Sequence, residues 1–135
     1  GLHIYVPLDS KSEFERSRQA AEYICKLIRL KIPDLVVLKG SEDHAYGKVS
    51  LDYLINEQDK GIISPYSLVA SQSANVATPL LWAEVKQGLK VEVFNPESIL
   101  ERLKKNGDPF EALFKKKING DALLEKMKDH YSFLL

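Results

Sequence analysis

Asp52 is the residue whose type and position most call for a chemical explanation. It lies in residues 48–54, where alternation places Val49 and Leu51 on one face of a predicted strand and Ser50 and Asp52 on the other. Aspartate is depleted in β-strands. The simplest interpretation is an edge residue that faces water, and a carboxylate that takes part in chemistry is the alternative.

Other polar side chains also have a structural and a functional interpretation. A lone histidine such as His3 is most simply structural, and Asn56 and Ser67 are typical of turns or caps. Glu84 and Lys86 look like half of a nuclease Glu-x-Lys motif, but two such residues on a helix more simply form a solvated face. Residue type alone therefore leaves these positions open.

Strand patterns come early in the chain and helix patterns come late, which predicts an α+β fold in a single domain over residues 1–135. Strands are predicted at 2–8, 35–38 and 48–54, with shorter extended segments at 62–63 and 91–94. Helices are predicted at about 13–31, 79–88, 96–105, 109–117 and from Gly120 onward. The predicted start signals are a capping box of Ser12 with Glu15, and the pairs Thr78-Pro79, Asn95-Pro96 and Asp108-Pro109.

The composition excludes several classes of protein. Apolar residues make up 44% of the chain, which is enough for a core, so wholesale disorder is excluded. Cys25 is the one cysteine, so the chain has neither an internal disulfide nor a cysteine-rich zinc site. The formal net charge is zero, which argues against tight autonomous binding to DNA. Trp82, beside Leu80 and Leu81, predicts core packing, with a base-stacking surface as the alternative.

The start of the chain and the lack of a targeting signal lead to two expectations. Residues 1–6 form part of a predicted strand without a lead-in, whereas the ends of domains are usually loose surface segments. We therefore expect either a fragment or a fold completed by another polypeptide. No signal-peptide pattern or long apolar run is present, so we expect a cytoplasmic location and no membrane contact.

Several short motifs occur in the order and spacing of one protein family. They are Gly-Leu-His-x-x-Val-Pro-Leu at 1–8, Asp-Tyr-Leu-x-Asn at 52–56, Pro-Tyr-Ser-Leu at 65–68, Thr-Pro-Leu-x-Trp-x-Glu at 78–84 and Gly-Asp-Pro-Phe at 107–110. Together they resemble the C-terminal half of the primase-polymerase domain of bacterial DNA ligase D proteins and their archaeal relatives. The resemblance extends to about residue 114.

This resemblance implies a fold and a function. The fold would be half of an archaeo-eukaryotic primase-polymerase, an α+β structure with a mostly antiparallel sheet and flanking helices. The activity would be template-dependent addition of nucleotides, often ribonucleotides, to broken DNA ends during non-homologous end joining. The implied partners are DNA ends, nucleoside triphosphates, Ku and a DNA ligase.

The resemblance also assigns Asp52 as a catalytic, metal-binding residue. The family transfers nucleotides with two Mg²⁺ or Mn²⁺ ions about 4 Å apart, held by three acidic residues, of which Asp52 matches the third. The other two belong to an upstream Asp-x-Asp motif, and no Asp-x-Asp occurs in this chain. We therefore expect the 135 residues to be inactive alone and to need a complementary polypeptide or a homo-oligomer.

Four more residues are nucleotide-binding candidates by the same resemblance, of which His3 matches the histidine that contacts the triphosphate. They are His3, Lys48, Asn56 and Ser67. The chain departs from the family where Ala45, Ile55 and Val69 replace residues that donate hydrogen bonds. These losses keep a second hypothesis open, a non-catalytic module that binds DNA ends or partner proteins through a degenerate active site.

Overall fold

The computed structural model describes residues 1–9, 11, 13–43, 45–72 and 74–132. Their positions group into two compact units, one of Gly1–Gly61 with Lys117–Leu135 and one of Ile62–Lys116. We call these the first and the second unit and describe each by itself; the single domain remains a prediction. Ser12, and with it the predicted capping box, lies outside the described residues.

The regular elements confirm most of the predicted helices. In chain order they are α1 (Phe14–Lys31), β1 (Val36–Leu38), β2 (Val49–Leu51), α2 (Pro96–Asn106), α3 (Ala112–Lys115) and α4 (Gly120–Tyr131). Short 3-10 turns cover Trp82–Glu84, Val91–Val93 and Pro109–Glu111. No helix among these described residues is long and apolar enough to cross a membrane.

The first unit is held together by the packing of α1 against α4. Leu124 is completely buried, and it clusters with Tyr23 of α1 and Met127 of α4. The half-buried side chains of Ile24 and Leu27 extend this cluster along α1. Because apolar burial is the main driving force for folding, these contacts bring the end of the chain back onto its first helix.

The sheet of the first unit corrects the prediction of a mostly antiparallel sheet. β1 and β2 pair in parallel, with Val36 opposite Val49 and Leu38 opposite Leu51. Val36 and Val37 are buried, whereas Val49 is exposed. The predicted strand at 2–8 is also wrong, since Leu8 alone forms a bridge, to Ile118. The local sequence favoured extended backbone there, but among the described residues the pairing is a single bridge, in which Pro7 and Asp9 both bond to Ile118.

The second unit has little regular structure apart from α2 and α3. The Asn95 side chain accepts a hydrogen bond from the Ser98 amide at 3.0 Å, and Pro96 occupies the first turn, so α2 begins as predicted. Gly107, with a positive φ of 73°, ends it. The extended segment predicted at 91–94 is wrong, because Val91–Val93 forms a 3-10 turn.

The helix predicted at 79–88 is also wrong. Only Trp82–Glu84 is helical, as a 3-10 turn, because the Glu84 carboxylate accepts a hydrogen bond from the Leu81 amide at 2.7 Å and closes the turn locally. The core role predicted for Trp82 is wrong as well, since 76% of this residue is exposed. Thr78 does not cap a helix, and its hydroxyl donates to the carbonyl oxygen of Val76 instead.

Polar contacts connect distant parts of the second unit. Both nitrogens of the Arg102 fork donate to the Glu84 carboxylate, and the Tyr66 hydroxyl donates to Asp108. The Arg102 guanidinium lowers the pKa of Glu84 below its usual range. The nearly buried Asn75 donates to the carbonyl oxygen of Val91 at 2.7 Å. These bonds hold the irregular segments against α2 and its C-terminal turn.

Truncation of Leu124 should show how far the first unit depends on the α1–α4 contact. Leu124→Ala should lower the free energy of unfolding by about 2–5 kcal/mol, because it leaves a cavity in a fully buried cluster. Urea unfolding followed by circular dichroism measures the change. Tyr23→Phe is a matched control in the same cluster, since the Tyr23 hydroxyl has no hydrogen-bond partner among the described residues. Its stability should be unchanged or higher by about 1 kcal/mol.

The Glu84–Arg102 pair should make the stability of the second unit depend on pH. The depressed pKa of Glu84 stabilises the folded state above the ordinary carboxyl value of 4.5, and this contribution is lost as the pH falls through the folded-state pKa. Glu84→Gln should therefore cost about 1.5–3 kcal/mol at pH 7 and progressively less in acid. Urea unfolding at a series of pH values measures both. The control is Glu101→Gln on the exposed side of α2, and an equal effect of the two changes would contradict the assignment.

Candidate functional site

The candidate site lies at the carboxyl end of the two parallel strands of the first unit. Leu38 and Leu51 are the last paired residues, and the Lys39 amide donates to the Leu51 carbonyl oxygen at 2.9 Å. Lys39 and Asp52 are therefore neighbours where the strands end. The carboxyl edge of parallel strands is a common place for binding sites in proteins.

Both oxygens of the Asp52 carboxylate have partners. Oδ2 lies 2.5 Å from the Lys39 ammonium, and Oδ1 accepts a hydrogen bond from the Leu54 amide at 3.1 Å. The second contact is a local turn in which an aspartate caps the backbone two residues on. The Asp52 side chain is 29% exposed, so water still reaches it. Asp52 is thus neutralised by a lysine and fixed by its own turn.

Lys48 and Asn56, both predicted to bind nucleotide, are also bonded within the first unit. The Lys48 ammonium donates to the carbonyl oxygen of Pro33 at 3.0 Å, and Pro33 lies before the start of β1. Lys48 precedes β2, whereas Asp52 follows it. The turn after Gly47, whose positive φ of 72° favours glycine, places Lys48 there. The Asn56 side chain donates to the carbonyl oxygen of Tyr53 at 3.1 Å. The structure therefore does not join Lys48 to Asp52.

His3, the predicted triphosphate contact, is an exposed residue of the N-terminal segment. Its ring lies edge-on to Tyr5, with 6.4 Å between the ring centroids. Exposure leaves the imidazole open to a ligand. His3 is thus accessible, but the contacts that fix Asp52 do not include it.

Ser67 belongs to the second unit, and its backbone is well determined by hydrogen bonds. The Ser67 carbonyl oxygen accepts from the Ala77 amide at 2.9 Å, and the Tyr66 amide donates to the Ala77 carbonyl oxygen at 2.7 Å. Tyr66 has a positive φ of 66°, which is costly for a bulky side chain. The Tyr66–Asp108 bond and this pairing hold the strained backbone that precedes Ser67.

The electrostatic effect of Asp52 reaches the sole cysteine of the chain. Burial raises the pKa of the Cys25 thiol, and the negative charges of Asp52 and Glu22 raise it further. The thiol is a nucleophile only when it is ionised, so this environment makes Cys25 less reactive. The structure agrees with the interpretation of Cys25 as a structural residue.

The residues around Asp52 do not fit the pair of divalent ions that the sequence analysis expects. Two hard cations need several carboxylate oxygens, yet no group of three or more histidine, cysteine, aspartate or glutamate side chains could hold an ion within the described ranges. The carboxylate at the expected position already has a lysine as its cation. Among the described residues, no further acidic side chains join Asp52 in such a group.

Lys39 is the site residue that sequence reasoning missed. It directly follows the predicted strand at 35–38, just as Asp52 comes near the end of the predicted strand at 48–54. Two strands that pair in parallel place the residues after their ends side by side. The sequence placed both residues near strand ends, but the parallel pairing that joins them was not predicted.

A family model and solved or curated relatives support the resemblance that the motifs suggest. Residues 1–110 match the model of the primase-polymerase domain of LigD. The chain is 32% identical over 111 residues to the bifunctional non-homologous end joining protein LigD of Bacillus subtilis, covering 82% of this chain and 18% of that protein. It is 30% identical over 113 residues to the multifunctional non-homologous end joining DNA repair protein LigD of Mycobacterium tuberculosis, covering 84% and 15%.

The structural comparison gives the same family. The chain superposes on the polymerase domain of Mycobacterium tuberculosis ligase D, solved in complex with DNA, with a TM-score of 0.70 and 26% identity. The match covers 78% of this chain and 37% of that one, so the present chain spans well under half the length of the relatives that it matches. The resemblance read from the motifs is confirmed. The chain belongs to the family of LigD primase-polymerase domains.

Proposed function

We propose that this chain forms part of a LigD-type primase-polymerase that acts on DNA ends during repair by non-homologous end joining in the cytoplasm. The observation that carries the proposal is the continuous family match over residues 1–110. The related mycobacterial polymerase domain, solved in complex with DNA, supports DNA as the partner. Ku and a DNA ligase are the proteins with which such a domain would work.

The contribution of this chain would be to bind nucleotide and DNA. The exposed His3 imidazole can donate to a phosphate oxygen, and the half-buried Ser67 presents a hydroxyl after a rigid, strained residue. Lys48 and Asn56 could add donors, but each would first have to release a backbone carbonyl oxygen. Among the candidates in the first unit, His3 is therefore the one whose side chain costs least to free for a ligand.

Nucleotide addition by two-metal chemistry would need acidic residues beyond those described here. Mg²⁺ or Mn²⁺ would be the ions, but Asp52 is one carboxylate and Lys39 already neutralises it. We therefore expect no polymerase activity from these residues alone. This chemistry would also require residues with an Asp-x-Asp motif, which does not occur in this sequence.

A second function, a non-catalytic module that docks on DNA ends or on a repair partner, is favoured by two observations. Asp52 is engaged in an ion pair, and the side chains of Ala45, Ile55 and Val69 have no hydrogen-bond donors at positions where the family resemblance implies them. The zero net charge limits the affinity that phosphate contacts can supply. This module would therefore bind DNA weakly unless a partner protein contributed.

Primer extension tests the first function. The chain is mixed with a polypeptide that carries the Asp-x-Asp half of a LigD polymerase domain, a DNA duplex with a 3′ overhang, Mn²⁺ and ribonucleotides. The mixture should extend the primer, the chain alone should not, and Asp52→Ala should reduce extension at least about a hundredfold, as loss of a metal ligand does. Asp34→Ala, at an exposed carboxylate before β1, is the control. No extension in any mixture would exclude the first function.

Binding to labelled DNA ends tests the second function. Fluorescence anisotropy should give a dissociation constant of about 1 μM or weaker at physiological salt, because the chain has no net positive charge. Asp52→Ala should change this constant by less than about twofold if Asp52 has no metal-dependent role, which corresponds to less than about 0.4 kcal/mol. Binding that requires Mn²⁺ and disappears in Asp52→Ala would contradict a non-catalytic module.

A further inference from the structure

The contacts of Asp52 point to a cation already resident at the position where the family is expected to place a metal ion. We propose that Lys39 acts as a built-in competitor for divalent cations at Asp52, so that an ion can bind there only when the lysine side chain leaves. This inference concerns the same carboxylate as the proposed function. It requires neither nucleotide nor DNA and can fail separately.

The position of Lys39 follows from the pairing of the strands. Parallel pairing up to Leu38 and Leu51, continued by the Lys39 amide, sets the Lys39 and Asp52 side chains side by side just after the two strands. Adjacent strands lie about 4.8 Å apart, a distance that a lysine side chain spans easily. The contact at 2.5 Å between Lys39 and Asp52 is therefore a consequence of the strand register.

The pair leaves little for a divalent ion to bind. The carboxylate uses Oδ2 for the ammonium and Oδ1 for the Leu54 amide, and the charges of Lys39 and Asp52 cancel. An ion that approached Asp52 would also meet the positive charge of Lys39 within a few ångström, and its double charge doubles the repulsion. Lys39 thus opposes metal binding both by occupying an oxygen and by electrostatic repulsion.

The exposure of Lys39 makes the competition reversible. Its side chain is 56% exposed, and exposed ion pairs contribute little to stability. Displacing the lysine side chain therefore costs the folded state little stability. A partner that supplied further carboxylates or a bound phosphate could draw the ammonium away. Removing the lysine charge should therefore uncover Asp52 without unfolding the protein.

The test is a titration with Mn²⁺ alone, followed by water-proton relaxation and by paramagnetic broadening of backbone amides in ¹H–¹⁵N spectra. Lys39→Gln should bind Mn²⁺ on the order of tenfold more tightly than wild type, with broadening centred on residues 50–54, because a nearby positive charge is gone. Lys39→Arg, which keeps the charge, should behave as wild type. Asp52→Asn in the Lys39→Gln background should abolish the gain.

A matched control separates the effect of Lys39 from that of losing any surface lysine. Lys115 forms an exposed ion pair with Glu111 in the second unit, so Lys115→Gln should leave Mn²⁺ binding near Asp52 unchanged. Circular dichroism of each variant checks the fold. Equal Mn²⁺ affinity in wild type and Lys39→Gln, or tight binding at Asp52 in wild type, would overturn the proposal.

Discussion

The parallel pairing of β1 with β2 is the constraint on which the candidate site depends. It joins β1, whose Val36 and Val37 are buried, to β2 and brings two residues that follow the strands into contact. The described residues of the short connection between the strands form no helix, and hydrogen bonds from the Lys39 and Val49 amides close the ladder at its two ends. The register of this short strand pair thus decides which charge lies beside Asp52, and so what chemistry the carboxylate can take part in.

This register has a chemical consequence for a protein of the LigD primase-polymerase family. A carboxylate beside an ammonium and a backbone amide is a stable arrangement without any metal, since each polar group has a partner. The same carboxylate among other acids would need cations to relieve their repulsion. Whether Asp52 serves as a metal ligand or as half of an ion pair therefore depends on the charges brought near it, and within the described residues that charge is Lys39.

The two units are stabilised by different kinds of contact. In the first unit, a small apolar cluster around Leu124 joins helices that lie almost a hundred residues apart in the chain. In the second unit, the irregular segments are joined by polar side chains, above all Glu84 with Arg102 and Tyr66 with Asp108. A segment held by side-chain hydrogen bonds carries no periodic apolar pattern, and for this reason residues 79–94 were the hardest to predict.

Local sequence was sufficient where local interactions decide the structure. The Asn95-Pro96 start and the Gly107 end predicted α2 because caps act within one turn, and the apolar spacing of α1 and α4 predicted both helices. The motifs from Gly1 to Phe110 were sufficient to predict the family. Only the tertiary structure decided that Trp82 is exposed, that the strands are parallel and that Lys39 neutralises Asp52. These features depend on which segments meet across the chain, and no local pattern of residues encodes that choice.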